Sequence, residues 1–213
     1  MKRAMILALG LVMVLAVPAA ARTTFVSIGT GGTGGIYYPY GGGVAEIWSK
    51  YVPGVKAVAE VTGASVENVK LAHKGETVVG EVMGDVAVAG YKGLSKFKGK
   101  KHNILGMAIM YPNLLQIVTL KKSGITNVEQ VKCRNISTGS PGSGTNFMTE
   151  TVFKALGIPL DSYKDSRLSF TESANALRDG TIDVGSWSVG PGTSSILDLA
   201  TTHDIRILGF TPE

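Results

Sequence analysis

Beyond residue 22 the apolar and polar positions of the chain alternate between two periods. Short runs rich in β-branched or apolar residues, at 25–28, 56–61 and 135–138, each lead into a turn of glycine and hydroxyl residues. Each turn then leads into a longer stretch whose apolar positions recur every three or four residues. Repetition of strand, turn and helix predicts an α/β protein built on parallel strands. The first unit reads as a strand at 25–28, a turn at 29–35 and a helix at 36–51 that places Val44, Ile47, Trp48 and Tyr51 on one face. A strand at 56–61 and a helix at 65–73, carrying Val66, Val69 and Leu71, close a βαβ unit. Residues 77–82 and 104–110 are further strand candidates on either side of a Gly- and Lys-rich loop at 93–101.

The layout restarts at 114–120 with an apolar strand. A short helix at 127–132, a strand at 135–138 and a helix at 145–156 ended by Gly157 follow. Then come a helix at 171–178 ended by Gly180, a strand at 182–186, a helix at 193–201 and a strand at 205–210. The pattern predicts two α/β lobes facing a central cleft, lobe 1 at 22–112 and lobe 2 at 113–213, with a first crossover near residues 111–115.

The segment before the first strand has a different character. Lys2 and Arg3 precede an apolar run at 4–17, then Pro18 and the small residues Ala19, Ala20 and Ala21. This order predicts a cleavable secretory signal peptide at 1–21; the run is shorter than the roughly 20 residues of a spanning helix. No cysteine stands at the cleavage point to take a lipid, so a soluble exported product is expected. The one cysteine, Cys133, cannot form an internal disulfide and reads as a small, semi-buried side chain. The net charge of +5 includes Lys2 and Arg3, which leave with the signal, so the mature chain is mildly basic and nucleic acid is not implied. Lys96, Lys98, Lys100 and Lys101 read as a solvated face.

Two loops carry the candidate chemistry. Gly29-Thr30-Gly31-Gly32-Thr33-Gly34-Gly35 lies between a strand and a helix, where successive backbone N–H groups can converge on one spot beside the positive end of a helix dipole. Gly139-Ser140-Pro141-Gly142-Ser143-Gly144-Thr145 occupies the matching place in the second lobe and adds three hydroxyls. Strand carboxyl ends face the crevice of an open α/β sheet, so the two loops predict one site for a small anion, a carboxylate or a phosphate. Gly29, Gly31 and Gly34 also satisfy G-x-G-x-x-G, with Glu60 near the position of a ribose-binding acid. That alternative, an exported nucleotide- or dinucleotide-binding enzyme, is opposed by the export signal and by Pro39 early in the helix. His73, His102 and His203 lie far apart in the chain without metal-ligand spacing, and no G-x-S-x-G occurs. Asp85, Glu150 and Asp183 read as exposed or capping carboxylates. No catalytic residue, metal or cofactor is therefore expected, and the protein reads as a non-enzyme.

The stretches 28–39 (IGTGGTGGIYYP), 62–68 (TGASVEN), Tyr111-Pro112, the loop at 139–145 and 176–183 (ALRDGTID) together resemble the TAXI family of solute receptors of tripartite ATP-independent periplasmic (TRAP) transporters. The resemblance implies a two-lobed, type II periplasmic-binding-protein-like fold. It also implies a periplasmic location, a monomeric receptor and delivery to TRAP membrane permease subunits driven by an ion gradient. The ligand so implied is a small carboxylate, glutamate- or glutamine-like or another organic acid. The residues it places at the cleft are Gly31, Gly32, Thr33, Gly34 and Tyr37 of the first loop, Ser65, Tyr111, and Ser140, Gly142, Ser143, Gly144 and Thr145 of the second. Ser65 also reads as a helix N-cap, Tyr37 as helix packing and Tyr111 as a hinge spacer. Trp187 is a candidate to cover an apolar part of the ligand or to pack the core. Met83 and residues 133–135 depart from the family pattern, and family members continue past Phe210 to complete the first lobe. The expectation is therefore a missing second crossover, an unpaired edge and exposed apolar surface on lobe 1. A remnant that presents ligand to a sensor is the third reading.

Overall fold

The computed structural model describes residues 23–210; the predicted signal peptide lies outside them. The first lobe is a parallel three-stranded sheet of order β2-β1-β3. Strand β1 (Thr24–Gly29) pairs with β2 (Val55–Glu60) from Thr24↔Val55 to Gly29↔Glu60, and with β3 (Val79–Gly80) at Ile28↔Val79. Helix α1 (Tyr37–Tyr51) follows β1, and α2 (Ser65–Lys74) follows β2. Pro39 falls in the first turn of α1, where no intrahelical N–H is required. The helix seats on the sheet through Ala45, Val44 and Trp48, against Val26, Ile28 and Val55. Gly41 allows the close approach, since a Cβ there would sit 2.6 Å from Thr30 Cγ2. Ile47 and Tyr51, expected on the core face, are 56% and 68% exposed. The Gly41–Ala45–Trp48 spacing sets the buried stripe, and those two side chains lie round the helix from it.

Helix α2 ends at Gly75 and α3 (Gly84–Lys92) at Gly93, both glycines left-handed with φ 74°. The two helices pack a second small core of Val66, Val69, Met83, Val86, Ala89 and Phe97. Residues 104–110, expected as a strand, join no sheet. The segment is uncovered, with Leu105, Met107 and Ile109 95%, 71% and 100% exposed and every residue from 105 to 109 exposed. A strand needs a neighbour for its backbone groups and its apolar face. Phe25 and Val58 are likewise exposed, on the sheet.

The second lobe is a five-stranded mixed sheet of order β6-β5-β7-β4-β8. Strand β4 (Leu114–Leu120) arrives from the first lobe and runs antiparallel to β7 (Val184–Val189) and β8 (Ile205–Ile207). Strand β5 (Asn135–Ser137) runs parallel to β7 and to the two-residue β6 (Lys164–Asp165), which the apolar pattern did not foretell. Helices α4 (Gly144–Ala155), α5 (Phe170–Arg178) and α6 (Ser194–Thr202) complete the lobe. One face packs Ile117, Ile136, Phe153 and Val184; the other packs Val118, Leu177, Trp187 and Leu199. With both faces covered, every residue of β7 is buried. Expected residues 127–132 form a 3₁₀ turn over Val128–Val131. Cys133, expected semi-buried, is exposed at a backbone φ of 62°.

One polar side chain ties the first lobe together. Asn68 is fully buried, and its amide nitrogen donates to the carbonyls of Gly29 (3.0 Å), Thr30 (2.7 Å) and Glu81 (2.8 Å). Its Oδ1 accepts the Thr62 hydroxyl at 2.7 Å. The ends of β1 and β3 and the turn after β2 are thus pinned by a single group. Asn68→Leu, which removes the side-chain donor shared by those three carbonyls and leaves Gly29 and Thr30 only the Glu81 N–H and the Thr62 hydroxyl, is expected to lower the unfolding free energy by about 2 kcal/mol or more, read from the urea midpoint.

Candidate functional site

Parallel strands release the chain at the same edge of a sheet, so the helices that follow begin on that side. The two lobes turn these edges toward each other and enclose a cavity of about 50 Å³, room for a few water molecules. The turn after β1 contributes Gly31, Gly32, Gly35, Ile36 and Tyr37, and the turn after β2 contributes Thr62, Gly63, Ala64 and Ser65. From the second lobe come Ser140, Ser143, Gly144 and Thr145, then Ser169 and Phe170, then Ser188 and Val189 at the end of β7. Met83, which caps α3, and Tyr111, in the crossover, close the wall. The first turns or caps of α1, α2, α3, α4 and α5 therefore all reach the lining, each bringing the positive end of a helix dipole. None of the lining residues is Asp, Glu, Lys, Arg or His.

The backbone is held for this purpose. Ser143 caps α4 by accepting Asn146 N–H at 3.0 Å, and Ser169 and Glu172 form a reciprocal capping box at the start of α5. Ala64, before α2, adopts φ 71°, ψ −147°, a region that costs a residue with a Cβ about 1–3 kcal/mol. It is held there by its N–H on Thr62 Oγ1 (3.0 Å) and its carbonyl under Asn68 N–H (2.8 Å).

The lobes touch through backbone. The Gly142 carbonyl accepts the N–H groups of Val66 and Glu67 at 2.9 and 3.2 Å, joining the second glycine loop to the start of α2. A Cβ at Gly144 would lie 2.3 Å from Met83 Sδ, and one at Gly34 would lie 2.4 Å from Thr171 Oγ1. At Gly190 a Cβ would meet Ile36 at 2.9 Å and Tyr111 at 3.2 Å. The glycines of both loops and of the β7 exit are thus what let the lobes close. An ion pair of Lys96 with Glu150 spans the lobes as well; Glu150 also faces Arg167 at 3.5 Å, which pairs with Asp165 at 2.8 Å.

Two tyrosines of the wall, Tyr37 and Tyr111, stand beside the buried carboxyl of Glu81. The Tyr37 hydroxyl is raised in pKa, chiefly by burial, against the opposing effect of hydrogen bonds with Ser65 and Asn113. The Tyr111 ring stands 6.2 Å from that of Tyr37, and burial raises its pKa too. Glu81 is buried, its Oε2 has no partner among the described residues, and desolvation lifts its pKa to about 8.

Of the residues expected at the cleft, Gly31, Gly32, Tyr37, Ser65, Tyr111, Ser140, Ser143, Gly144 and Thr145 line the cavity. Four do not. Thr33 is exposed. Gly34 is buried beside Thr171 and Ser195, and Gly142 faces α2 as the lobe contact. Trp187 is fully buried behind Phe170, their rings stacked at 6.1 Å, with its indole N–H on Ser195 Oγ at 3.1 Å. Phe170, Ser169, Ser188 and Ile36 were not anticipated as lining. The S-x-x-E capping box at Ser169 marked a helix start in the sequence and would have pointed to the first two. Glu60, the ribose-acid candidate, is exposed and outside the lining. His73 and His102, distant in sequence, have rings 4.8 Å apart, yet no group of three His, Cys, Asp or Glu among the described residues is placed to hold a metal.

Residues 28–213 match the NMT1-like family, and the chain belongs to it. Its fold is shared with periplasmic solute-binding proteins. The alkanesulfonate-binding protein SsuA of Xanthomonas axonopodis pv. citri, solved with MOPS, superposes with a TM-score of 0.58 at 17% identity, over 89% of this chain and 62% of that one. The aliphatic sulphonate binding protein of Escherichia coli gives 0.52 at 15%, over 86% and 59%. A putative L-cystine ABC transporter protein of Listeria monocytogenes gives 0.59 at 16%, over 88% and 78%. This chain thus spans about three fifths of the length of the two sulfonate-binding proteins.

Two outcomes are expected from this geometry. Removing the inter-lobe ion pair by Lys96→Met is expected to cost about 1 kcal/mol of closure. It should appear as a larger radius of gyration in small-angle scattering, an increase that 1 M salt reproduces in the unaltered protein. Because the folded-state pKa of Glu81 lies above its unfolded value of 4.5, the native state binds the proton more tightly, and stability is lost as pH rises from about 5 through about 8. Glu81→Gln should flatten that part of the stability profile, measured by urea unfolding across the range.

Proposed function

We propose that this chain is an exported solute receptor that captures a small organic anion in the inter-lobe cavity and presents it to a membrane permease. The observation that carries the reading is the wall itself, five helix starts and a row of hydroxyls around one inter-lobe cavity without a charged side chain. Such a wall stabilises an anion by dipoles and N–H or O–H donors, and it offers no nucleophile–base pair and no metal site for turnover. Membership of the NMT1-like family and the fold shared with sulfonate- and cystine-binding proteins support a receptor role and a periplasmic setting. The glycine loops, through their resemblance to TAXI receptors, favour a TRAP permease driven by an ion gradient and a carboxylate ligand. The likeness to proteins of ABC transporters favours an ATP-driven permease instead. Reconstituted uptake with an ion gradient alone, against ATP alone, separates these.

A ligand bound only by the folded chain at about 100 times its Kd adds about 2.7 kcal/mol of stability. A thermal-shift series of small carboxylates should therefore contain compounds that raise the Tm. Gly144→Val, whose side chain would project into Met83 and Ser65 across the cleft, should abolish that rise while leaving the ligand-free Tm within a few degrees. A series in which no organic anion shifts the Tm speaks against the receptor reading.

A further inference from the structure

We propose that the ligand is a singly charged anion with an apolar body and no ammonium group, an alkanoate- or alkanesulfonate-like molecule rather than an amino acid or a dicarboxylate. This rests on the reading of the inter-lobe cavity as a ligand site. The wall is divided by chemistry. Ser65, Ser143 and Thr145 supply hydroxyls at helix starts, whereas Ile36, Met83 and Phe170 present aliphatic, thioether and aromatic surface to the same space.

An ammonium group carried into this space would lose its water and meet no carboxylate, since the wall contains none. It would also face the positive ends of several helix dipoles. The nearby acids lie outside the lining. Glu67 Oε2 accepts the Gly63 N–H at 2.7 Å, Asp85 Oδ1 accepts the Val86 N–H at 2.8 Å, and burial pushes the Glu81 carboxyl up to about 8. A second carboxylate on the ligand fares no better, because no Lys, Arg or His lines the wall to offset repulsion between two anionic groups in so small a volume. A short apolar chain is matched by the remaining surface.

The test is titration calorimetry on the full chain with pairs that differ in one group. 4-(Methylthio)butanoate is compared with methionine, and hexanoate with adipate; hexanesulfonate against hexanoate distinguishes a sulfonate head from a carboxylate head. The expected result is binding of the monoanion tighter than its zwitterionic or dianionic partner by about tenfold or more. Phe170→Ser should weaken hexanoate several-fold and acetate by less than twofold. Equal or tighter binding of methionine or adipate overturns this inference and leaves the receptor reading standing, while heat from no member of any pair overturns both.

Discussion

Everything at the cleft follows from strand direction. In both lobes parallel strands exit on the side that faces the other lobe, so the turns after β1, β2 and β5 deliver α1, α2 and α4 starts to the same space. A helix start carries unpaired N–H groups and a fractional positive charge whatever its side chains. The polarity of the cavity is therefore a property of topology, and the side chains there are left to set shape and to exclude other charges.

Close contact between the lobes is a second consequence of backbone exposure. Gly142 gives its carbonyl to the α2 N–H groups of Val66 and Glu67, so part of what α2 offers is satisfied by the opposite loop. At Gly34, Gly144 and Gly190 a single added carbon would crowd side chains of the opposite lobe. Glycine at these places serves proximity; at Gly142, with φ 80°, it serves the turn as well. The Asn68 network and the strained Ala64 act on the same loop ends from behind, which fixes the wall.

Charge is arranged around the cavity but kept out of it. The Lys96, Glu150, Arg167 and Asp165 chain bridges the lobes outside the lining, and the carboxyl of Glu81 sits beside the tyrosines without a partner for Oε2 among the described residues. A wall of neutral donors presents positive dipole ends without confining a basic side chain in the cleft, where desolvation would oppose its charge.

Residue pattern alone determined the α/β class, the strand–turn–helix order and the two glycine loops, because each is a local matter of period, turn chemistry and capping. It likewise led to most of the cavity lining on those loops. Tertiary structure decided what depends on distant partners. Residues 104–110 have a strand's apolar run but no neighbour to pair with, Ile47 and Tyr51 lost their place in the core to a closer approach at Gly41, and His73 meets His102 across the fold. Trp187 and Phe170 show the limit most plainly. Phe170 starts α5 whereas Trp187 lies within β7, and only the stacking of one behind the other settles which of them faces the cleft.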